Sequence, residues 1–173
     1  IKLNNLVITS FSTLGNGMSN FTAQNIGANK IDRIKKGYRG GLIMVYVLCI
    51  PIVLLYLFAG SYLVRIFMNT SSGAALNTGV QFLRIVSPFY FIISLKIITD
   101  GVLRGSSAMK QFMVATFADL ILRVGLAYIL SARFEETGIW MAWPVGWIIG
   151  TILSIGFYTN IRRNYFDKAV KEV

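Results

Sequence analysis

The sequence predicts an all-α membrane protein, folded as an antiparallel bundle of five transmembrane helices. Residues 41–64 and residues 137–161 each form a long run without a charged side chain, and about 20 apolar residues suffice for a helix to cross a bilayer. The composition agrees, because the chain is 55% hydrophobic and only 14% charged. The runs lack the strict alternation of a transmembrane barrel, so helices are expected to satisfy the backbone in lipid.

Five spans follow one another along the chain. The first covers residues 3–23 and is uncharged but rich in Asn, Ser and Thr, whereas the second, residues 42–64, is mostly apolar. Residues 79–103, 111–131 and 138–161 form the third, fourth and fifth spans. Because the connections are short, successive helices are expected to run antiparallel. Three of the spans contain a proline, which predicts a kink in each.

The basic residues predict the orientation of the bundle in a plasma (inner) membrane. Eleven of the 17 Lys and Arg residues fall in alternate connections and in the C-terminal tail, as three clusters: Lys30, Arg33, Lys35, Lys36 and Arg39; Arg104 and Lys110; Arg162, Arg163, Lys168 and Lys171. By the positive-inside rule these regions, with the C-terminus, are expected in the cytoplasm. We expect no nucleic-acid partner despite the net charge of +10, because the basic residues form no stripe interleaved with aromatics.

The first span carries polar side chains at helical spacing along one face. The stripe comprises Asn5, Thr9, Ser12, Asn16 and Ser19. A stripe of this kind does not face lipid, so it either hydrogen-bonds neighbouring helices or lines a water-filled path. If it lines a path, the amides of Asn16 and Asn20 are the strongest candidates for contact with a ligand.

Ionisable residues occur inside two other spans. Lys96, Asp100 and Arg104 follow one another at i,i+4 in the third span, near its cytoplasmic end, where they either anchor the helix or form a gate or ion-coupling site. Asp119 and Arg123 repeat the spacing in the fourth span, about 12 and 18 Å inside its start. Such residues mark functional sites, or they form a structural ion pair. Lys96, Asp100, Asp119 and Arg123 are therefore the candidates for an intramembrane charge network.

Enzyme signatures are lacking in the sequence. It contains no His and one Cys, and it has no metal-ligand cluster, phosphate-binding loop or nucleophile motif. We therefore expect neither catalysis nor a metal or organic cofactor.

Two segments resemble the multidrug and toxic compound extrusion (MATE) transporters. Gln24-Asn25-Ile26-Gly27-Ala28, followed by Lys30 and Arg33, is similar to a loop signature of that family. Asp100-Gly101-Val102-Leu103-Arg104-Gly105 resembles the end of its tenth helix. The resemblance implies twelve helices in two lobes, of which this chain would supply helices 8 to 12. It would be a partial C-terminal lobe that lacks its first helix and the whole N-terminal lobe.

The resemblance also implies an activity. Family members expel organic cations and amphiphiles in exchange for Na⁺ or H⁺, by alternating access across the lipid bilayer. It gives Gln24, Gly27, Ala28 and Arg33 the role of a structural turn. Tyr90 could contact a flat cationic substrate through its ring face, or it could pack in the core.

Two alternatives stay open at this point. A lipid-linked saccharide flippase of the same superfamily would need basic residues for a phosphate group, and Arg84, Lys96 and Arg123 are the candidates. A membrane scaffold that transports nothing would bury the polar stripe of the first span completely between helices.

Overall fold

The computed structural model describes residues 2–67 and 73–167, and the regular structure in these ranges is helical. The elements are α1 (Lys2–Gly27), α2 (Ile31–Phe67), α3 (Gly73–Val86), a 3₁₀ turn (Ser87–Phe89), α4 (Tyr90–Gly105), α5 (Met109–Ile161) and a π-helical turn (Arg162–Phe166). The predicted all-α class is thus confirmed for the described ranges. The count of five transmembrane passes stays a prediction, and Lys168 and Lys171 of the basic tail lie outside the described residues.

Within residues 2–67 and 73–167, three helical segments are long and apolar enough to cross a membrane. They are Ile31–Ile66, Leu76–Gly105 and Met109–Phe166. Helix α1 is not among them, because its Asn, Ser and Thr residues lower its hydropathy. Large apolar side chains stand exposed along α2 and α5, among them Phe58 and Ile121, as expected of surfaces that face lipid.

The basic cluster after the first predicted span lies on a helix. Helix α2 begins at Ile31, well before the predicted start of the span at residue 42, and is 37 residues long. At about 1.5 Å per residue it is longer than the hydrocarbon core is thick, so its first turns project toward water. Lys35 and Arg39 therefore have a rigid helical position.

Two helices end in the same cap. After α1, Asn29 adopts a positive φ of 53°, and the Lys30 amide donates to the Asn25 carbonyl at 2.8 Å. After α4, Ser107 has a φ of 59°, and the Ala108 amide donates to the Leu103 carbonyl at 2.9 Å. This is the Schellman pattern, which satisfies carbonyls that the helix leaves without partners. Each cap allows the next helix to begin after a few residues.

Helix α5 consists of two antiparallel limbs. Its 53 residues are interrupted at Glu135, where φ is 50° and the backbone is not helical. The first limb covers residues 109–134 and the second limb residues 136–161. The limbs fold against each other so closely that a Cβ on Gly138 would collide with the carbonyl of Leu130. One long helical element therefore crosses the bundle twice.

The three prolines inside the predicted spans behave differently. Pro88 lies in the 3₁₀ turn that separates α3 from α4. Pro51 and Pro144 instead lie inside α2 and the second limb, where the helix continues past them. Of these three prolines, Pro88 alone lies at a break in the helix, since the residues before it form the separate helix α3.

Helix α4 is the centre of the bundle and packs against α1, α2 and α5. Its contact with α1 depends on two glycines at i,i+4, because a Cβ on Gly101 would meet the carbonyl of Gly15 and one on Gly105 the carbonyl of Ser19. Small residues at this spacing let transmembrane helices approach closely. The seam between α1 and α4 is therefore a backbone-to-backbone contact.

The basic clusters converge at one end of the bundle. Lys35 at the start of α2 forms an ion pair of 2.5 Å with Asp167, which also lies 3.9 Å from Arg162. The connection between α4 and α5 lines a cavity together with Ile161 and Tyr165. This common end agrees with the predicted positive-inside pattern. Which side of the membrane it occupies stays a prediction.

Candidate functional site

The Lys96 and Asp100 pair is buried in the centre of the bundle. Lys96 and Asp100 are 4% and 5% exposed, and the Lys96 ammonium donates to Asp100 Oδ2 at 2.6 Å. The hydroxyl of Ser154, on the second limb, donates to Asp100 Oδ1 at 2.5 Å. Both carboxylate oxygens are thus satisfied from two different helices. The prediction that these residues simply anchor the end of the helix does not describe this position, because neither side chain reaches water.

Asp119 joins this pair from the first limb. It is 6% exposed, and its Oδ2 lies 3.8 Å from Arg123 Nη2, a loose ion pair. Arg123 also lies over the ring of Trp143, 5.4 Å from its centroid, in a cation–π contact. Asp119 Oδ1 is buried and has no hydrogen-bond partner among the described residues. One carboxylate oxygen in the centre of the bundle is therefore left unpaired.

Two glycines of the second limb provide the room for these side chains. A Cβ on Gly150 would lie 2.7 Å from Lys96 Cε and 3.0 Å from Asp119 Cβ. A Cβ on Gly146 would lie 2.5 Å from Asp119 Oδ1. Lys96 and Asp119 therefore meet at the same place on the second limb. The four predicted charged residues form two neighbouring ion pairs, Lys96–Asp100 on α4 and Asp119–Arg123 on the first limb, which pack on the same part of the second limb and together make up the charge network.

Tyr90 lies in an aromatic core next to the network. Its hydroxyl donates to Asn4 Oδ1 at 3.0 Å, and its ring packs 6.0 Å from Trp147 and 6.3 Å from Phe11. The side chain is 0% exposed. The expectation that Tyr90 contacts a substrate is corrected here, because α1 and α5 enclose its ring and its hydroxyl is already paired. Packing is the role that this arrangement supports.

The polar stripe of α1 faces away from the bundle. Asn5, Thr9 and Asn16 are exposed, and Ser12 and Ser19 are half-buried. The opposite face of the helix, with Val7, Phe11, Gly15, Met18 and Thr22, is buried against the other helices. The stripe is therefore not hydrogen-bonding glue within the part of the chain that the structure describes.

The stripe nevertheless has one polar contact with another helix. Arg104 Nη1, at the end of α4, donates to Asn16 Oδ1 at 3.0 Å. The guanidinium also lies 5.4 Å from the centroid of the Phe112 ring. Asn20, one turn beyond Asn16, is exposed. The two predicted ligand-contact residues are accessible, and a fixed positive charge lies next to one of them.

The predicted loop motif is the end of α1. Gln24 and Gly27 belong to its last turn, Ala28 follows directly, and all three are exposed, as is Arg33 on the first turns of α2. The Ala28 amide donates to the Gln24 carbonyl at 3.0 Å, so these residues lead into the cap at Asn29. The geometry is that of a turn between two helices, which is the role that the resemblance implied for this motif.

Sequence reasoning missed the uncharged partners of the network. Gly146, Gly150 and Ser154 are buried and follow one another at i,i+4. That spacing of small residues is itself a signal for a close helix contact. From this spacing one could have predicted that the second limb packs closely against the charged residues of the third and fourth spans. Asn4, the partner of Tyr90, carries no comparable signal, because it lies outside the regular stripe.

The fold and the network define a helical membrane protein with a buried, charged centre and a polar outer face on one helix. The sequence profile of the MatE family matches residues 1–129. The match covers most of the chain, and the chain belongs to the MatE family.

Individual relatives agree with this assignment. The chain is 28% identical over 150 residues to the probable multidrug resistance protein YoeA of Bacillus subtilis (strain 168), covering 84% of the chain and 32% of the relative. It is 23% identical over 158 residues to the probable multidrug resistance protein YpnP of the same organism, covering 91% and 35%. The chain thus spans about a third of the length of the curated relatives it matches.

A solved structure shows the same fold. It is described as the inward-facing conformation of a multidrug resistance MATE family transporter of the MOP superfamily. The match has a TM-score of 0.84 and 15% identity, and it covers 96% of this chain and 39% of the other. The helical arrangement is therefore that of a solved MATE structure.

Proposed function

We propose that this chain forms helices 8 to 12 of a twelve-helix multidrug efflux antiporter, in the C-terminal lobe. The complete transporter would export organic cations or amphiphilic compounds in exchange for Na⁺ or H⁺, by alternating access. The lobe would lie in the plasma membrane with its basic end and C-terminus in the cytoplasm. The relatives named as multidrug resistance proteins support this proposal.

The single observation that carries the proposal is the outward-facing stripe of α1. Amide and hydroxyl groups at the hydrocarbon level are costly unless they meet water or polar partners. The described helices leave Asn5, Thr9 and Asn16 exposed, so a water-filled cavity between two lobes is the setting that accounts for them. A scaffold would instead bury the same stripe.

The flippase alternative receives less support from the basic residues. Lys96 is buried and paired with Asp100, and Arg123 lies between Asp119 and the Trp143 ring. Arg84 is exposed on α3. A phosphate group would therefore have to displace an existing ion pair in order to reach Lys96.

Cysteine labelling tests the proposal directly. Asn16→Cys and Asn20→Cys are introduced into the complete protein that contains this sequence, and membrane vesicles are treated with a membrane-impermeant, water-soluble thiol reagent. Both positions are expected to react, and an exported organic cation is expected to slow the reaction. Resistance at both positions would favour the scaffold.

The chain offers matched controls for this labelling. Asn4→Cys replaces a polar residue of the same helix that is buried, and Val47→Cys replaces an exposed apolar residue on α2. Neither is expected to react, since one lies in the protein core and the other faces lipid. The native Cys49 is buried and contributes little background.

The isolated 173-residue chain is expected to show no drug efflux, because it spans about a third of its relatives. Efflux of an organic cation is compared in cells that produce the chain alone or the complete protein. Robust efflux by the chain alone would contradict the two-lobe proposal.

A further inference from the structure

The two buried carboxylates of the network have different surroundings. Asp100 accepts from Lys96 on one oxygen and from Ser154 on the other. Asp119 has a cation 3.8 Å from one oxygen, while its Oδ1 is buried without a hydrogen-bond partner in the described part of the chain. Buried polar atoms without partners are uncommon and call for an explanation, such as a functional role. Asp119 Oδ1 is the atom at which this network is incomplete.

We propose that Asp119 is a proton-binding carboxylate and that H⁺, rather than Na⁺, is the ion coupled to transport. This inference rests on the proposed function for its transport part, but binding of the proton at Asp119 does not depend on it. Proton transfer needs one carboxylate oxygen, and protonation would form the O–H bond at Oδ1 without the loss of any hydrogen bond described here.

The groups around Asp119 suit a proton better than a metal cation. The charged groups that face Asp119 are Lys96 and Asp100 on α4 and Arg123 on its own limb. The second limb contributes the uncharged Gly146 and Gly150 at the point of contact. Hard metal cations are held by several oxygen ligands, whereas Asp119 Oδ1 is the carboxylate oxygen of the network that lacks a hydrogen-bond partner among the described residues. A proton requires neither a ligand shell nor additional volume.

Protonation of Asp119 would alter the contact between three helical segments. The carboxylate carries the negative charge between Lys96 and Arg123, and neutralising it leaves Lys96 with Asp100 alone. Lys96 and Asp119 both lie against Gly150, and Asp119 lies against Gly146. A change of charge at Asp119 is therefore transmitted to the second limb, which packs on both residues. Such a buried charge is a suitable element for coupling a proton to a helix movement.

The first test observes the proton itself and needs no transport. Infrared difference spectra of the purified protein are recorded between acidic and alkaline buffer for the wild type, Asp119→Asn, Asp119→Glu and the control Asp32→Asn. Asp32 is an exposed carboxylate in the first turn of α2. The carboxylic acid band is expected to lose a component in Asp119→Asn, to shift in Asp119→Glu, and to keep the buried component in Asp32→Asn. Identical bands in the wild type and Asp119→Asn would overturn the proton site.

The second test concerns coupling. The complete protein is reconstituted in liposomes, and uptake of a fluorescent organic cation is driven by a pH gradient or by a Na⁺ gradient. Asp119→Asn is expected to lower pH-driven uptake about ten-fold or more while substrate-for-substrate exchange stays within about two-fold, because the neutral amide imitates the protonated state. Asp119→Glu, which keeps the titratable group, is expected to retain pH-driven uptake in part.

The outcomes separate the two proposals. Uptake driven by Na⁺ alone, or unchanged pH-driven uptake in Asp119→Asn, would overturn the coupling role of Asp119. If the wild type transports nothing while its infrared band depends on Asp119, the proton site stands and the proposed function fails. Loss of both exchange and pH-driven uptake in a well-folded Asp119→Asn protein would show that the residue is structural and would contradict the coupling role.

Discussion

The charge network between α4 and α5 and the polar stripe of α1 place polar groups in the membrane in opposite ways. Lys96, Asp100 and Asp119 are all buried, and most of their polar atoms find partners inside the bundle. The stripe is exposed or half-buried, and its interhelical hydrogen bond comes from Arg104 to Asn16. The bundle thus supplies partners for its ions, whereas the stripe must find them elsewhere.

The difference follows from the cost of each group. An ion in a low-dielectric interior is tolerated only if it is paired, so each charge of the network has an opposite charge within the packed segments, although Asp119 Oδ1 lacks a hydrogen-bond partner among the described residues. Neutral amides and hydroxyls cost less and can remain at a wet surface. Mutations should therefore have large effects on folding in the network and small ones in the stripe.

The largest effect is expected from Lys96→Met. It leaves Asp100 buried without its cation, and breaking a buried ion pair typically costs about 3–5 kcal/mol of unfolding free energy. Unfolding of the purified protein in detergent measures the loss. Lys96→Met with Asp100→Asn should recover part of it, and Lys110→Met, at an exposed position, should change little. A loss below about 1 kcal/mol for Lys96→Met would show that the pair is solvated.

Gly101→Ala should destabilise the seam between α1, which carries the stripe, and α4, which carries part of the network. The new Cβ would collide with the carbonyl of Gly15, so α1 must move away from α4, at a cost of about 1–3 kcal/mol. Gly17→Ala is the matched control, because nothing lies within 4 Å of its Cβ position. Alanine favours a helix over glycine by up to about 1 kcal/mol, so the control should be neutral or stabilising. Equal effects of the two substitutions in thermal unfolding would contradict the close seam.

Tyr90→Phe tests the core contact between α1 and α4. The change removes the hydroxyl that donates to Asn4 and leaves a buried amide oxygen unpaired, at a cost of about 1–2 kcal/mol. Tyr128→Phe, at a largely exposed position on the first limb, is the control and should leave unfolding unchanged. If Tyr90→Phe were neutral for stability but impaired transport, the residue would contact the substrate after all.

The smallest effect on stability is expected from Asn16→Ala. The residue is exposed, and its hydrogen bond to Arg104 is open to solvent, so the unfolding free energy should change by less than about 0.5 kcal/mol. Affinity for an organic cation, measured by fluorescence titration of the complete protein, should change instead. A large loss of stability with unchanged affinity would show that the stripe, like the network, is needed for folding and does not bind the substrate.

Much of the fold could be predicted from the distribution of charges. The uncharged runs at residues 42–64 and 138–161 became parts of α2 and of the second limb. Helix lengths could not be predicted as well, because the basic residues before the second span carry no signal that separates an exposed helix from a loop. The division at Glu135, in contrast, falls within the connection that the sequence predicted between the fourth and fifth spans, at residues 132–137.

The candidate site was predicted in part. The i,i+4 spacing selected Lys96, Asp100, Asp119 and Arg123, which the structure brings together. The spacing could not show that the pairs on two helices belong to one network, or that Ser154 completes it. The stripe residues were likewise identified, but whether they are buried depends on which face of α1 meets α4. For Tyr90 the sequence left a substrate contact and a core position open, because an aromatic residue near Pro88 suits both, and the structure places it in the core.

The sequence by itself determined that this chain lives in lipid and is helical, because hydrocarbon leaves the backbone few ways to satisfy its polar groups and the charges cannot enter it unpaired. It also determined which residues are able to carry charge within the membrane. Only the tertiary structure decided that Lys96 and Asp119 meet at Gly150, that Asp119 Oδ1 finds no hydrogen-bond partner among the described residues, and that the stripe of α1 faces outward. These features depend on how helices distant in sequence pack together, and spacing along a single helix contains no information about that contact.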